Sequence, residues 1–396
     1  MEREKRTFRE KLRREWNAVE YSLWRFRKNM TWGKALYLLS PVWVLAIIFA
    51  IWLIPAAKGD CGEMVQYRIV GTTMYVEGFG KMDNYYYSEH HNSLAAPYRP
   101  WRPFIRRVVI RDGVSAIGVS AFYKFANLRE VEIPESVNVV QSYAFQDCRR
   151  LRAVTAEGAD FVGPDAFRGC TELQTVTLKN GDGSWGSIYD GAFRDCVSLE
   201  YAVVNDETFF GDECFAGCEN LETIQVVRPL KIGTHAFINC RSLTAFPLEN
   251  TAEKQSDEEG YLGYPDLGEG AFLNCASLET IELPPSTREI PDSFFKGCTS
   301  LSAVQMPETV TVIGENVFSG CESLAEISLS SRLRVIGRGA FTGCVSLPQL
   351  TIPESVTEIY PSAFSGWTAE QTVYVYRDDL FAEGTFNSGA VIQVLE

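Results

Sequence analysis

The chain has 396 residues, of which 46% are hydrophobic and 22% charged, so most of it can bury a core and is not disordered. Its formal net charge of −14 excludes a basic, phosphate-binding body. The charge is uneven: residues 1–34 hold 11 Lys/Arg against 5 Glu, leaving 26 Lys/Arg against 46 Asp/Glu over 35–396.

In the basic tail, Phe8, Leu12, Trp16, Val19 and Leu23 recur at helical intervals, with Arg and Lys between them. This stripe reads as an interfacial or partner-docking helix, or as a charged flank that only sets orientation. Residues 35–57 (ALYLLSPVWVLAIIFAIWLIPAA) contain no charged side chain. As a helix they would extend roughly 34 Å, enough to cross a bilayer core. The segment is therefore expected to be a transmembrane helix that also makes the membrane a partner. It is too long for the apolar region of a cleavable signal peptide, although Ala57-Lys58-Gly59 is a passable cleavage site. The positive-inside rule then gives a single-pass cell-membrane protein, with 1–34 cytoplasmic and the body extracellular. Residues 58–65 are expected to be a linker and 66–104 an N-terminal cap region.

A repeat begins near residue 105 and runs to about 376. Phe recurs at 122, 145, 167, 193, 215, 237, 272, 295, 318, 341 and 364. Cys follows three residues later at 148, 170, 196, 218, 240, 275, 298, 321 and 344. The first and last units carry Phe125 and Trp367 instead. Leu comes three residues further on, followed by alternation such as Leu278-x-x-Ile281-x-Leu283, then a Pro turn such as Ile352-Pro-Glu-Ser-Val356. An Ile-Gly step such as Ile313-Gly314 leads into the next unit. Each unit of about 23 residues thus predicts one coil: a short strand, a turn and a short helical or 3-10 return. About twelve strands would stack into a right-handed solenoid sharing one core. Two units are longer: one holds Gly181–Gly186 as an extra turn, and one an acidic insertion near 250–263. Residues 377–396 are left as a C-terminal cap.

The unit resembles that of the BspA-like leucine-rich-repeat family, approximately IGxxAFxxCxxLxxVxIPxSV, over about residues 66–376. The lead-in through Gly71-Thr72-Thr73-Met74-Tyr75-Val76 and Ile105-Arg106-Arg107-Val108-Val109-Ile110 is also similar to bacterial members. The resemblance implies a cell-surface or secreted protein that binds host or neighbouring-cell components, without naming the ligand.

Catalytic patterns are missing. Nine cysteines at one repeat position point the same way into the core and are expected to be reduced, buried, small hydrophobes; Cys214 reads likewise. Only Cys61 is expected to be exposed. No CxxC spacing suggests zinc, and His90, His91 and His235 lack a spaced ligand set. No enzyme, cofactor, metal or nucleic-acid partner is expected, and the oligomeric state stays open.

The residues between the apolar strand positions face outward and form a ladder, the candidate binding surface. Its polar and aromatic members are Glu130, Glu132, Thr175, Thr177, Tyr201, Thr223, Gln225, Thr280, Glu282, Gln305, Glu326, Ser328 and Tyr374. These residues equally suit an exposed sheet with no ligand. The expected function is that of a non-enzymatic, membrane-anchored protein using its solenoid for adhesion to, or recognition of, an extracellular protein or glycan. The alternative is a membrane signalling or scaffold protein whose cytoplasmic helix recruits partners.

Overall fold

The computed structural model describes residues 57–86, 96–179, 185–248, 266–377, 380 and 389–395. The basic tail, the His90-His91 pair and the acidic insertion lie outside the described residues.

The membrane expectation is corrected. Among the described residues no helix is long and apolar enough to cross a membrane. Ala57, the last residue of the expected span, leads directly into the strand Lys58–Asp60; 35–56 lie outside the described residues. The transmembrane element of the fold, the membrane as partner, the anchored function and the single-pass topology are therefore not carried forward.

What the repeat dictates is a right-handed β-solenoid whose coils carry two strands rather than one, except where a front strand is missing. In the front sheet, alternation places one side chain of each three-residue strand inward and two outward, as in Glu130–Glu132, where Val131 is buried between two exposed glutamates. The strands Arg107–Ile110, Glu130–Glu132, Ala153–Thr155, Thr175–Thr177, Tyr201–Val203 and Thr223–Gln225 are parallel neighbours. The hairpin Val65–Val70/Thr73–Gly78 extends this sheet at its N-terminal edge, and Lys58–Asp60 pairs antiparallel beyond it. The back sheet is built at the Ile-Gly steps and the equivalent positions of other units, such as Val140-Gln141 and Val162-Gly163. Its strands include Val114–Ile117, Val139–Val140, Phe161–Val162 and Trp185–Ile188, continuing to Asp266–Leu267.

The return segment is not helical. Residues two before and two after every repeat Phe have positive φ, for example Tyr143 (59°) and Asp147 (59°) around Phe145, or His235 (54°) and Asn239 (62°) around Phe237. A left-handed residue on either side of a central turn breaks helical progression. It also turns alternate amides toward the next coil: Tyr143, Phe145 and Asp147 N–H donate to the carbonyls of Pro164, Ala166 and Arg168. The coils are therefore hydrogen-bonded on the return side as well as through both sheets.

The core is a continuous ladder. Consecutive repeat Phe rings stack with centroids 5.0–6.0 Å apart from Phe122 to Phe364. Each ladder thiol donates to the carbonyl of the Phe one coil back: Cys148 Sγ to Phe122 O at 3.1 Å, Cys240 Sγ to Phe215 O at 3.2 Å, Cys344 Sγ to Phe318 O at 3.2 Å. In the last coil Trp367 takes over this role, its indole Nε1–H donating to Phe341 O at 2.9 Å. The repeat cysteine is thus a small core residue that also supplies a coil-to-coil hydrogen bond. Cys61, expected to be exposed, is fully buried. Its thiol is pushed up to about 12, mainly by burial and further by Asp83 and Asp60.

Candidate functional site

The front-sheet face brings together part of the expected ladder. Strand register aligns Glu130 with Ala153, Thr175, Tyr201 and Thr223 in one row. A second row aligns Thr155 with Thr177, Val203 and Gln225, with Glu132 one coil before. Glu130, Glu132, Thr175, Thr223 and Gln225 are exposed, while Thr177 and Tyr201 are half-buried. Arg107, on the strand just before the ladder, lies 3.7 Å from Glu130 and is hydrogen-bonded to Glu132. The ladder therefore begins beside an ion-paired cluster and continues as small polar groups with one aromatic ring, Tyr201. Arg107 escaped the sequence reading because it precedes the first full repeat, although the alternation Arg107-Val108-Val109-Ile110 carried the signal.

The remaining members are not on the same sheet. Thr280 aligns with Ala303 and Glu326, and Glu282 with Gln305, in a separate three-stranded sheet. Ser328 lies exposed just beyond the strand Glu326–Ile327. Tyr374, half-buried, aligns with Thr351 in a third sheet. Prolines explain these breaks. In the unit of Phe237, Pro247 occupies the strand position and cannot donate, and Ala245–Pro247 form no strand. Farther along, Arg129, Gln174, Ser302 and Ala325 each donate a backbone N–H to the corresponding carbonyl one coil back. Pro348 holds that position in the next coil, so Glu326–Ile327 and Gln349–Thr351 fall into different sheets. An open groove of about 1170 Å³ lies over this break, lined by Glu326, Ser328, Gln349, Thr351 and Tyr376 among others. Tyr376 was missed because it follows the last alternating strand.

The outward ladder residues include no cysteine and no histidine. The core thiols are raised well above the ordinary thiol value, chiefly by burial, so they are neutral at neutral pH and are not nucleophilic thiolates. Among the described residues no group of three or more His, Cys, Asp and Glu could hold a metal ion. His235 sits on the return side with Asp165, Arg168, Arg194 and Glu213 around a smaller hollow. There Arg168 lies 3.5 Å from Asp165, and Arg194 pairs with Glu213. Burial raises Asp165 despite both arginines. This is a surface ion-pair network of the kind stacked coils make.

The family model described as BspA type leucine rich repeat region matches in six copies, over residues 104–181, 156–258 and 264–374. The chain belongs to the BspA-type leucine-rich-repeat family. No curated protein matches it significantly. Among solved structures it is similar to a leucine-rich repeat protein from Bacteroides ovatus, at 20% identity and a TM-score of 0.49, over 85% of this chain and 99% of that one. It is also similar to a leucine rich cell surface protein from Faecalibacterium prausnitzii, at 22% identity and a TM-score of 0.43, over 86% and 96%. A leucine-rich repeat protein from Eubacterium ventriosum follows at 17% identity and a TM-score of 0.42, over 79% and 95%.

Proposed function

We propose that the chain is a non-enzymatic recognition protein that holds a protein or glycan ligand against the outer face of its front sheet, for adhesion or selective binding. The observation that carries this reading is the register itself. Strands from Glu130–Glu132 to Thr223–Gln225 present two aligned outward rows on a rigid support hydrogen-bonded on three sides of every coil. A stiff surface loses little conformational entropy on binding, so even small polar groups contribute. Tyr201, half-buried in the row between Thr175 and Thr223, is the anchor of the kind binding hot spots favour.

The test is a panel of immobilised glycans and matrix proteins probed with the full chain. Any ligand retained by the parent should bind the Tyr201→Ala/Thr223→Ala/Gln225→Ala variant about tenfold or more weakly, a loss of about 1.4 kcal/mol. The back-sheet variant Trp185→Ala should bind as the parent does. Unchanged capture by the triple variant would move the binding surface elsewhere.

A further inference from the structure

One row of side chains is separate from the front face. It lies at the shoulder just before each front strand, where the residue after the repeat Leu points outward. In register from coil to coil this row reads Arg106, Arg129, Arg152, Gln174, Glu200 and Glu222. Backbone bonds from Arg129 N to Arg106 O (2.8 Å) and Arg152 N to Arg129 O (3.3 Å) fix the three arginines one coil apart, which is about 4.8 Å. All three are exposed. Arg152 has a carboxylate partner, Glu172, at 3.7 Å. Among the described residues Arg106 and Arg129 have none. Like charges facing each other on neighbouring strands are destabilising, so this row gains most from an anion that bridges it.

The surroundings strengthen the case. Residues 96–152 hold ten Arg/Lys against five Asp/Glu inside an otherwise acidic body. A second row runs alongside: Arg150 donates to Asn127 Oδ1 at 3.1 Å, and Asn127 Nδ2 donates to Pro103 O at 2.8 Å. This holds Arg150 beside the arginine row. Phe104, 42% exposed, stands at the N-terminal end of the rows next to half-buried Trp101. The patch therefore combines regularly spaced guanidinium groups with a flat apolar ring at one end, and Glu200 terminates it at the other.

We infer that this shoulder binds a linear anionic polysaccharide, sulfated or uronate-bearing, along the solenoid axis. Guanidinium groups bind sulfate and carboxylate oxygens in a bidentate fork. A pyranose chain with an anion on each ring advances by close to one coil spacing per sugar, and Phe104 offers a ring face to a terminal sugar. The narrow, single-file row suits an extended chain rather than a duplex.

The experiment measures binding of the full chain to a heparin oligosaccharide, neutral dextran, oligothymidylate and polyglutamate, at low and at physiological ionic strength. The parent is expected to bind heparin, to prefer it over the other three, and to bind it more weakly as salt rises. The Arg106→Gln/Arg129→Gln/Arg152→Gln variant should lose about tenfold or more in affinity with a shallower salt dependence. The control Arg332→Gln/Arg334→Gln/Arg338→Gln removes the same charge elsewhere and should bind heparin like the parent. Absence of heparin binding, equal loss in both variants, or stronger binding of oligothymidylate or polyglutamate would overturn the inference. Because all six positions are exposed or lie at the surface, a melting curve for each variant confirms that the fold is retained.

Discussion

Ten cysteines, the nine of the ladder and Cys214, are fully buried as thiols, and this makes stability unusually sensitive to alkaline pH. Burial raises every one of them; Cys344, for instance, goes from 9.0 up to about 12. A group raised in the fold keeps its proton there while the unfolded chain loses its own. Its stabilising contribution is therefore complete below the unfolded thiol value and is lost as pH rises through the folded one. One pH unit above an unfolded value of about 9, a thiol that keeps its proton in the fold costs about 1 kcal/mol. Ten together cost on the order of 10 kcal/mol at about pH 10, comparable with a typical total stability of about 5–15 kcal/mol. Urea unfolding followed by circular dichroism in reductant should therefore show a steep fall in midpoint between pH 8 and 10. The variant Cys218→Ala/Cys240→Ala should start weaker at pH 8, by about 1–2 kcal/mol per site. Its further loss on reaching pH 10 should be smaller than that of the parent by about 2–3 kcal/mol. Equal midpoints at pH 8 and 10, or the same alkaline loss in both proteins, would refute the reasoning.

Other consequences can be checked on the same protein. Under native conditions a thiol reagent at neutral pH should modify none of the eleven cysteines promptly, Cys61 included, and all of them after denaturation, since all are buried. Phe193→Ala removes a ring stacked at 5.1 Å on both neighbours and should cost about 3–5 kcal/mol in chemical unfolding. Trp367→Phe deletes the indole donor to Phe341 O and should cost about 1–2 kcal/mol, with faster amide exchange confined to the last coils. Gly233→Ala would place a methyl 2.5 Å from the backbone of Gly211 in the preceding coil and should cost about 1–3 kcal/mol or more; a melting curve within error of the parent would contradict that packing.

The solenoid was legible because its side chains act in register: Phe recurs in eleven units, Leu in ten and Cys in nine at fixed spacing, and the core uses all three. The alternation around Val131, Val154 and Ile224 likewise gave the front strands and their outward rows. The back sheet was not legible as strands. Val139–Val140 and Val335–Ile336 are two residues long, too short for a period to show, and an Ile-Gly step marks Ile336 but not Val140, which Gln141 follows. The return is not the expected helix, and its left-handed positions carry a sequence signal. Two residues after each Phe, ten of eleven units have Gly, Asn or Asp, the residues that tolerate positive φ. The ladder was drawn as continuous because the effect of a single missing N–H at Pro348 is invisible until neighbouring coils are in register. The arginine row was overlooked for a related reason: Arg106, Arg129 and Arg152 stand more than twenty residues apart in the chain and become neighbours only when coils stack.

The most direct test of the recognition surface is hydroxyl-radical footprinting of the full chain with and without a ligand taken from the glycan and matrix-protein panel. Protection should concentrate on Tyr201 and its front-strand neighbours, while Trp185 on the back sheet, 61% exposed, should be modified equally in both states. Protection of Trp185 with an unchanged Tyr201 would contradict the proposal that the front sheet is the binding face.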